Sequence, residues 1–341
     1  MRWVTPNAEK QTDTTTMSTF TAYRLHAGQP QPAGSFDSVT IEDPGPEDAL
    51  IRVAFSSVNF KDALAAAGRN SIIRAWPRIG GIDFTGTVEA GARFAPGTPV
   101  VVHGFGIGVD HDGGYAQFAR VPADWVLPLP AGLSLIDAAT LGVAGYTAAL
   151  AIDAMELNGL APDAGPIAVT GATGGVASVA IDILAARGYR VTAVSGKSAE
   201  ADYLRQLGAT AVLPREALAA GGKPLEKGVW AGAVDSVGGS TLAALLRSMQ
   251  LNGVVAAFGN AGGPELATTV LPFILRGVRL IGINGNSPMP LRARIWRRLA
   301  TDLRPRHLEL IRHEITFAEL PGALATVGDG GARGRFVVRM P

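Results

Sequence analysis

The spacing of apolar residues changes character near residue 137. Before that point they come in short runs cut by glycine and proline. Residues 49–55 (Ala49-Leu-Ile-Arg-Val-Ala-Phe55) have strand composition, and residues 80–102 read as a series of short strands broken by turn residues. Short strands with regular turns predict a barrel-like β domain over 18–137, with Pro128 and Pro130 near its end.

Past residue 137 strand and helix signals alternate. Residues 138–152 form the longest apolar stretch and carry Gly142, Gly145, Tyr146 and Thr147. At about 15 residues it is too short to cross a bilayer and reads as a buried helix. A strand is expected over 166–170, a helix over 176–187 and a strand over 189–195. Ser198 is the expected N-cap of the next helix, which Gly208 closes. Further strands are expected at 232–236, 253–258 and 278–283. This order predicts an α/β fold with a doubly wound parallel sheet over 138–284. The tail, 285–341, ends in a strand over 334–339 that rejoins the first domain.

Composition narrows the function. At 341 residues the chain is long enough for about two domains. With 47% hydrophobic and 17% charged residues it builds a core and does not fit a disordered chain. A net charge of +1 gives no general pull toward nucleic acid or an anionic membrane. The one basic cluster is Arg292, Arg294, Arg297 and Arg298. The chain has no cysteine, which excludes disulfides, thiolate catalysis and cysteine-ligated zinc. Residues 1–17 are polar, lack the apolar core of a signal peptide, and read as a flexible extension with Met17 as an alternative start. A cytoplasmic location is expected.

The chemistry centres on a glycine turn. Gly171-Ala172-Thr173-Gly174-Gly175-Val176-Ala177 follows a predicted strand and opens a predicted helix. In that setting glycine lets the backbone approach a pyrophosphate, and the helix N-terminus offers free N–H groups and a positive dipole. Ala177 stands at the last small position, which the fingerprint allows. The next strand ends in Ser195-Gly196-Lys197, with no carboxylate to accept from ribose hydroxyls or repel a 2′-phosphate. A hydroxyl, an N–H and an ammonium there favour NADPH, with Arg205 assisting. The alternative is that Lys197 is a solvated loop charge.

Several further motifs resemble the medium-chain dehydrogenase/reductase superfamily across nearly all of 18–341. They are Gly80-Gly81-Ile82-Asp83-Phe84-Thr85-Gly86, Gly145-Tyr146-Thr147-Ala148 and the cofactor turn. The segments Val58-Asn59-Phe60-Lys61-Asp62, Tyr203-Leu204-Arg205-Gln206-Leu207-Gly208 and Asp235-Ser236-Val237-Gly238-Gly239 resemble its quinone-oxidoreductase-like branch, which includes acrylyl-CoA reductases. The resemblance implies a GroES-like substrate domain, a Rossmann domain with a cleft between them, and often a homodimer. It also implies hydride transfer from NADPH to an activated alkene.

Where zinc-dependent relatives carry Gly-His-Glu, this chain has Gly81-Ile82-Asp83, so no catalytic metal is expected. The five histidines show no ligand spacing, and His103 reads as structural. The resemblance places Asn59, Lys61 and Asp62 beside the nicotinamide. Asn59 would donate to a carbonyl, Lys61 would supply charge and Asp62 would orient it; the alternative is a structural turn with a surface ion pair. It also places Thr147, Phe258, Gly259, Asn260, Ile283 and Asn284 along the cofactor and Arg335 on its far side. Asn284-Gly285 departs from the branch's usual Asp-Ser. Arg74 and Arg78 would meet a CoA phosphate or lie solvated, and Phe60, Trp76 and Phe105 are candidate lining. The expected function is NADPH-dependent reduction of an α,β-unsaturated acyl-CoA such as acrylyl-CoA. The alternatives are a quinone or enone oxidoreductase and a non-catalytic NADPH-binding module.

Overall fold

The structure, a computed structural model, describes residues 19–28, 32–40, 44–218 and 222–341. The extension expected at 1–17 lies outside the described residues.

Six parallel strands form one sheet in the order Ala211–Pro214, Arg190–Ser195, Pro166–Thr170, Trp230–Asp235, Met249–Ala257, Arg279–Gly282. Strand order reverses between Pro166–Thr170, the first in sequence, and Trp230–Asp235, the fourth, as in a dinucleotide-binding sheet. Such sheets bind ligands outside the carboxyl ends of their strands, at that reversal. Trp230–Asp235 is buried throughout, which is why it reads as a continuous apolar run rather than an alternating one. The helix after the glycine turn spans Gly175–Ala186. Ser198 begins a short 3-10 turn, Ser198–Glu200, and makes no side-chain cap. The helix proper is the short Ala201–Gln206.

The apolar helix is longer than expected. It runs Leu135–Leu157, 23 residues, because polar Asp137 and Asp153 are carried within it. By length and composition it would cross a membrane, yet 72% of its most apolar window is buried inside the protein. It packs on Ile167, Val169, Ile181 and Trp296, and an all-round apolar helix suits that position. At Gly142 the helix breaks (φ 47°, ψ −150°).

The second domain is built around Asp48–Ser57, which pairs antiparallel with Asp83–Gly91 and Phe118–Pro122. Pro99–His103 and Leu127–Pro128 extend the sheet. Residues 80–102, expected as several short strands, hold one nine-residue strand and one of five residues. The last strand, Arg335–Arg339, pairs with Asp48–Ser57, and Arg312–Thr316 lies parallel beside it. The chain therefore leaves this sheet, builds the parallel sheet, and returns.

Candidate active site

A cleft of about 1030 Å³ separates the domains and is lined from both. On the parallel-sheet side the turn at Gly171 (φ 57°) is closed by Gly174 N–H donating to the Gly171 carbonyl at 2.8 Å. A side chain at Gly171 would strike Ser236, and one at Gly175 would strike the methylenes of Arg335. Thr170 Oγ1 donates to Asp235 Oδ1 at 2.6 Å, tying the two strands together at the reversal. Burial raises the Asp235 carboxyl, and the Thr170, Gly238 and Val237 donors oppose it. Gly171, Thr173, Gly174, Gly175 and Val176 all line the cleft. The open helix start and small residues there fit a dinucleotide pyrophosphate.

At the end of the second strand Ser195 Oγ accepts from Lys197 N–H at 3.0 Å, and Lys197 Nζ donates to the Ala332 carbonyl at 2.6 Å. Burial lowers the Lys197 ammonium. Arg205 is corrected: it is paired with Asp202 at 2.9 Å, exposed, and not part of the cleft wall, because the short helix turns it outward. Its place is taken by Arg215, whose guanidinium packs over Gly196 and has no bonded partner among the described residues. The signal for Arg215 was its position one residue past Ala211–Pro214, where Pro214 lies in register with Ser195.

The glycine turn is followed along the cleft by Phe258, Gly259 and Asn260, then by Ile283, Asn284 and Gly285. Ile283 N–H extends its strand by donating to the Ala257 carbonyl at 2.9 Å, and Asn284 Oδ1 accepts from Asn286 N–H at 2.9 Å, turning the loop. Thr147 lines the cleft, but its hydroxyl is spent on the Val143 carbonyl at 2.7 Å.

The substrate side departs from expectation. Asn59 and Asp62 cap the helix Phe60–Ala66 reciprocally. Asp62 accepts from Asn59 N–H at 2.9 Å and Ile82 N–H at 3.0 Å, so it is buried scaffolding and does not orient Lys61. Burial, then the Asp83 charge, pushes its carboxyl up to about 7. The Asn59 amide is used at both ends: Nδ2 donates to Asp83 Oδ2 at 3.1 Å and to the Ser57 carbonyl at 3.4 Å, and Oδ1 accepts from Arg335 Nη1 at 2.8 Å. It has no free donor for a substrate carbonyl. Lys61 alone of the three is exposed in the cleft and unbonded among the described residues.

Arg335 differs as well. Its stem lies against Gly175, but its guanidinium is buried beneath the cleft rather than turned to a nucleotide's far side. It bonds Ser57 Oγ, Asn59 Oδ1 and the Thr140 carbonyl, and pairs with Asp83 at 3.5 Å. Asp83 also accepts from Ser57 N–H and Oγ, and from Val143 N–H at 2.8 Å. That last donor is freed by the break at Gly142, where a Cβ would strike Asp83 and Arg335.

Arg78 pairs with Asp112 at 3.0 Å and neither it nor Arg74 lines the cleft. Phe60 and Phe105 do; Trp76 does not. The residues do not fit a catalytic zinc. Ile82 has no donor, the Asp83 oxygens are engaged, and no group of three or more potential ligands occurs among the described residues.

A parallel sheet with a glycine turn at its reversal, facing a β domain across a cleft, defines a dinucleotide-dependent oxidoreductase. Residues 45–131 match the family model for the alcohol dehydrogenase GroES-like domain, and 175–301 the model for zinc-binding dehydrogenases. The putative quinone oxidoreductase YhfP of Bacillus subtilis is 45% identical over 308 residues, 89% of this chain and 93% of that protein. The acrylyl-CoA reductase AcuI of Ruegeria pomeroyi is 46% identical over 295 residues, 85% of this chain and 89% of that protein. The crystal structure of the YhdH oxidoreductase of Salmonella enterica with NADP superposes with a TM-score of 0.91 at 42% identity, covering 94% of this chain and 100% of that one. That of YhfP, with NAD bound, has the same TM-score at 44% identity, covering 94% and 99%. The chain belongs to the medium-chain dehydrogenase/reductase superfamily, with no group of three potential metal ligands among the described residues.

Proposed function

We propose that the protein uses NADPH to reduce a carbon–carbon double bond conjugated to a carbonyl, with α,β-unsaturated acyl-CoA thioesters as substrates and acrylyl-CoA the first to try. The observation that carries the cofactor is the corner formed by Ser195, Lys197 and Arg215, which turns two cations and no carboxylate into the cleft, nearby Glu200 being paired with Arg333 outside its wall. The relative named acrylyl-CoA reductase supports the substrate. NADPH supplies the hydride. The protein's part is to seat the pyrophosphate on the start of Gly175–Ala186, to hold the ribose phosphate at Lys197 and Arg215, and to present the alkene in a cleft walled by Phe60, Phe105 and Lys61. Steady-state reduction of acrylyl-CoA and crotonyl-CoA tests this. Turnover of quinones with neither thioester reduced would instead support the second reading, a quinone or enone oxidoreductase. The name of YhfP and the 46% exposure of Phe60 in the cleft favour that reading. NADPH binding without oxidation by either substrate class would point to a binding module.

A second copy of the chain and a cytoplasmic location belong to the same proposal. The strand Arg279–Gly282 ends the parallel sheet, and Val270, Ile274 and Leu275 are exposed just before it. Light scattering on the eluting protein distinguishes one copy from two.

A further inference from the structure

Arg292 differs from its neighbours on the helix Met289–Ala300. Arg294 and Arg298 both pair with Asp153 at 2.6 Å. Arg292 is 1% exposed and has no carboxylate partner among the described residues. Its Nη1 donates to the His103 carbonyl, its Nη2 donates to the Ser287 carbonyl at 3.0 Å, and its plane lies 4.2 Å over the Phe105 ring. Its Nε has no acceptor.

His103, 3.1 Å from Nη1, does not supply the missing negative charge. Its Nε2 lies 2.8 Å from the Trp296 indole N–H and its Nδ1 faces the guanidinium, and a neutral imidazole, which accepts at only one of the two, carries no negative charge in either tautomer. Burial, then the Arg292 charge, holds that imidazole well below its usual range. A buried cation without a counter-charge is costly, and such groups cluster where function uses them.

The charge faces the cleft. Gly104 and Phe105 line it, and a Cβ on Gly104 would stand 2.8 Å from both Nη atoms and 3.2 Å from Asn286 Oδ1. The Gly104 backbone stands between the guanidinium and the cleft. This is the end of the cleft beside Asn286, across the sheet from Arg215.

We propose that Arg292 is an electrostatic positioning residue for the reaction: its uncompensated charge, behind Gly104, stabilises negative charge gathering on the substrate's carbonyl oxygen. The inference rests on the conjugated-alkene reading above. In that reaction the β-carbon gains a hydride as NADPH is oxidised to NADP⁺, and the alkene's electron pair shifts to form an enolate. A proton from water then adds at the α-carbon and restores the carbonyl. A fixed charge behind a low-dielectric wall acts on the enolate far more strongly than one in water.

Two substitutions separate charge from packing. Arg292→Lys keeps the charge and loses the fork; Arg292→Gln keeps an amide donor and loses the charge. With acrylyl-CoA, kcat should fall about 30-fold in the Gln variant and less than about 5-fold in the Lys variant. The Kd for NADPH, followed by fluorescence, should stay within about twofold for both, because Arg292 does not line the cofactor's path. A readout apart from turnover is the near-ultraviolet enolate band of a bound acetoacetyl thioester, expected with wild type and Arg292→Lys and weakened in Arg292→Gln. If Arg292→Gln does not fold, Asn286→Asp sets a carboxylate beside the guanidinium at an exposed position and should lower kcat about tenfold. Equal losses in the Lys and Gln variants, no enolate band with wild type, or an unchanged Asn286→Asp enzyme would overturn the proposal. If wild type reduces no unsaturated carbonyl compound, the substrate reading fails, and the enolate band still decides the role of Arg292.

Discussion

Lys197 and Arg215 reach one corner of the cleft from two adjacent strands, and they should divide the work of holding a 2′-phosphate. Lys197→Ala and Arg215→Ala should each weaken NADPH by about 1–3 kcal/mol and leave NADH almost unchanged. Fluorescence titration with both cofactors measures the difference, and Arg205→Ala serves as the control that changes neither. Asp62 carries a different kind of prediction. Its carboxyl lies near 7 in the folded protein and near its ordinary value, about 4, when unfolded. Between those values the unfolded chain releases the proton and the folded one keeps it. Stability therefore falls as pH rises from about 4 to about 7 and levels off above. In Asp62→Asn that part of the slope should vanish, visible as a Tm that tracks pH less steeply over the same window.

At the scale of elements, the helix Leu135–Leu157 is interrupted so that a backbone N–H can reach a buried carboxylate. Gly142→Ala adds a Cβ at positive φ and pushes it into Asp83 and Arg335. A loss of more than about 2 kcal/mol is expected in urea unfolding. The elements themselves were largely legible. The Pro166–Thr170 strand, glycine turn and Gly175–Ala186 helix announce themselves by local chemistry, since one backbone conformation serves one ligand. What stayed hidden depends on residues far apart in sequence. Nothing near Asn59 tells that Asp83 and Arg335 will claim its amide. Nothing in 201–206 tells that a helix of two turns will aim Arg205 outward while Arg215, beyond the next strand, swings in. The length of Leu135–Leu157 was hidden for a simpler reason: Asp137 and Asp153 interrupt the apolar pattern, and their partners Arg312, Arg294 and Arg298 lie over 140 residues away.

At the scale of the molecule, the Asp83–Arg335 pair joins the β sheet, the broken helix and the last strand beneath the cofactor turn. Arg335→Met leaves the buried Asp83 carboxylate without its ion-pair partner and should cost about 3–5 kcal/mol. Calorimetry should show the transition lowered as a whole, since both domains meet there. NADPH at 100 times its Kd should raise stability by about 2.7 kcal/mol, and the Arg335 variant should recover less of its loss if the cleft closes imperfectly.

The return of the chain to its first sheet has a consequence for synthesis. Asp48–Ser57 is made early, but one of its partners, Arg335–Arg339, is made only after the whole parallel sheet. A nascent chain that has not yet reached residue 335 holds a β domain with an unzipped flank and Asp83 without its arginine, even if the parallel sheet has already formed. The β domain, begun before the parallel sheet, is thus completed after it. A nonsense change before residue 335 should yield an aggregating fragment rather than a weakened enzyme.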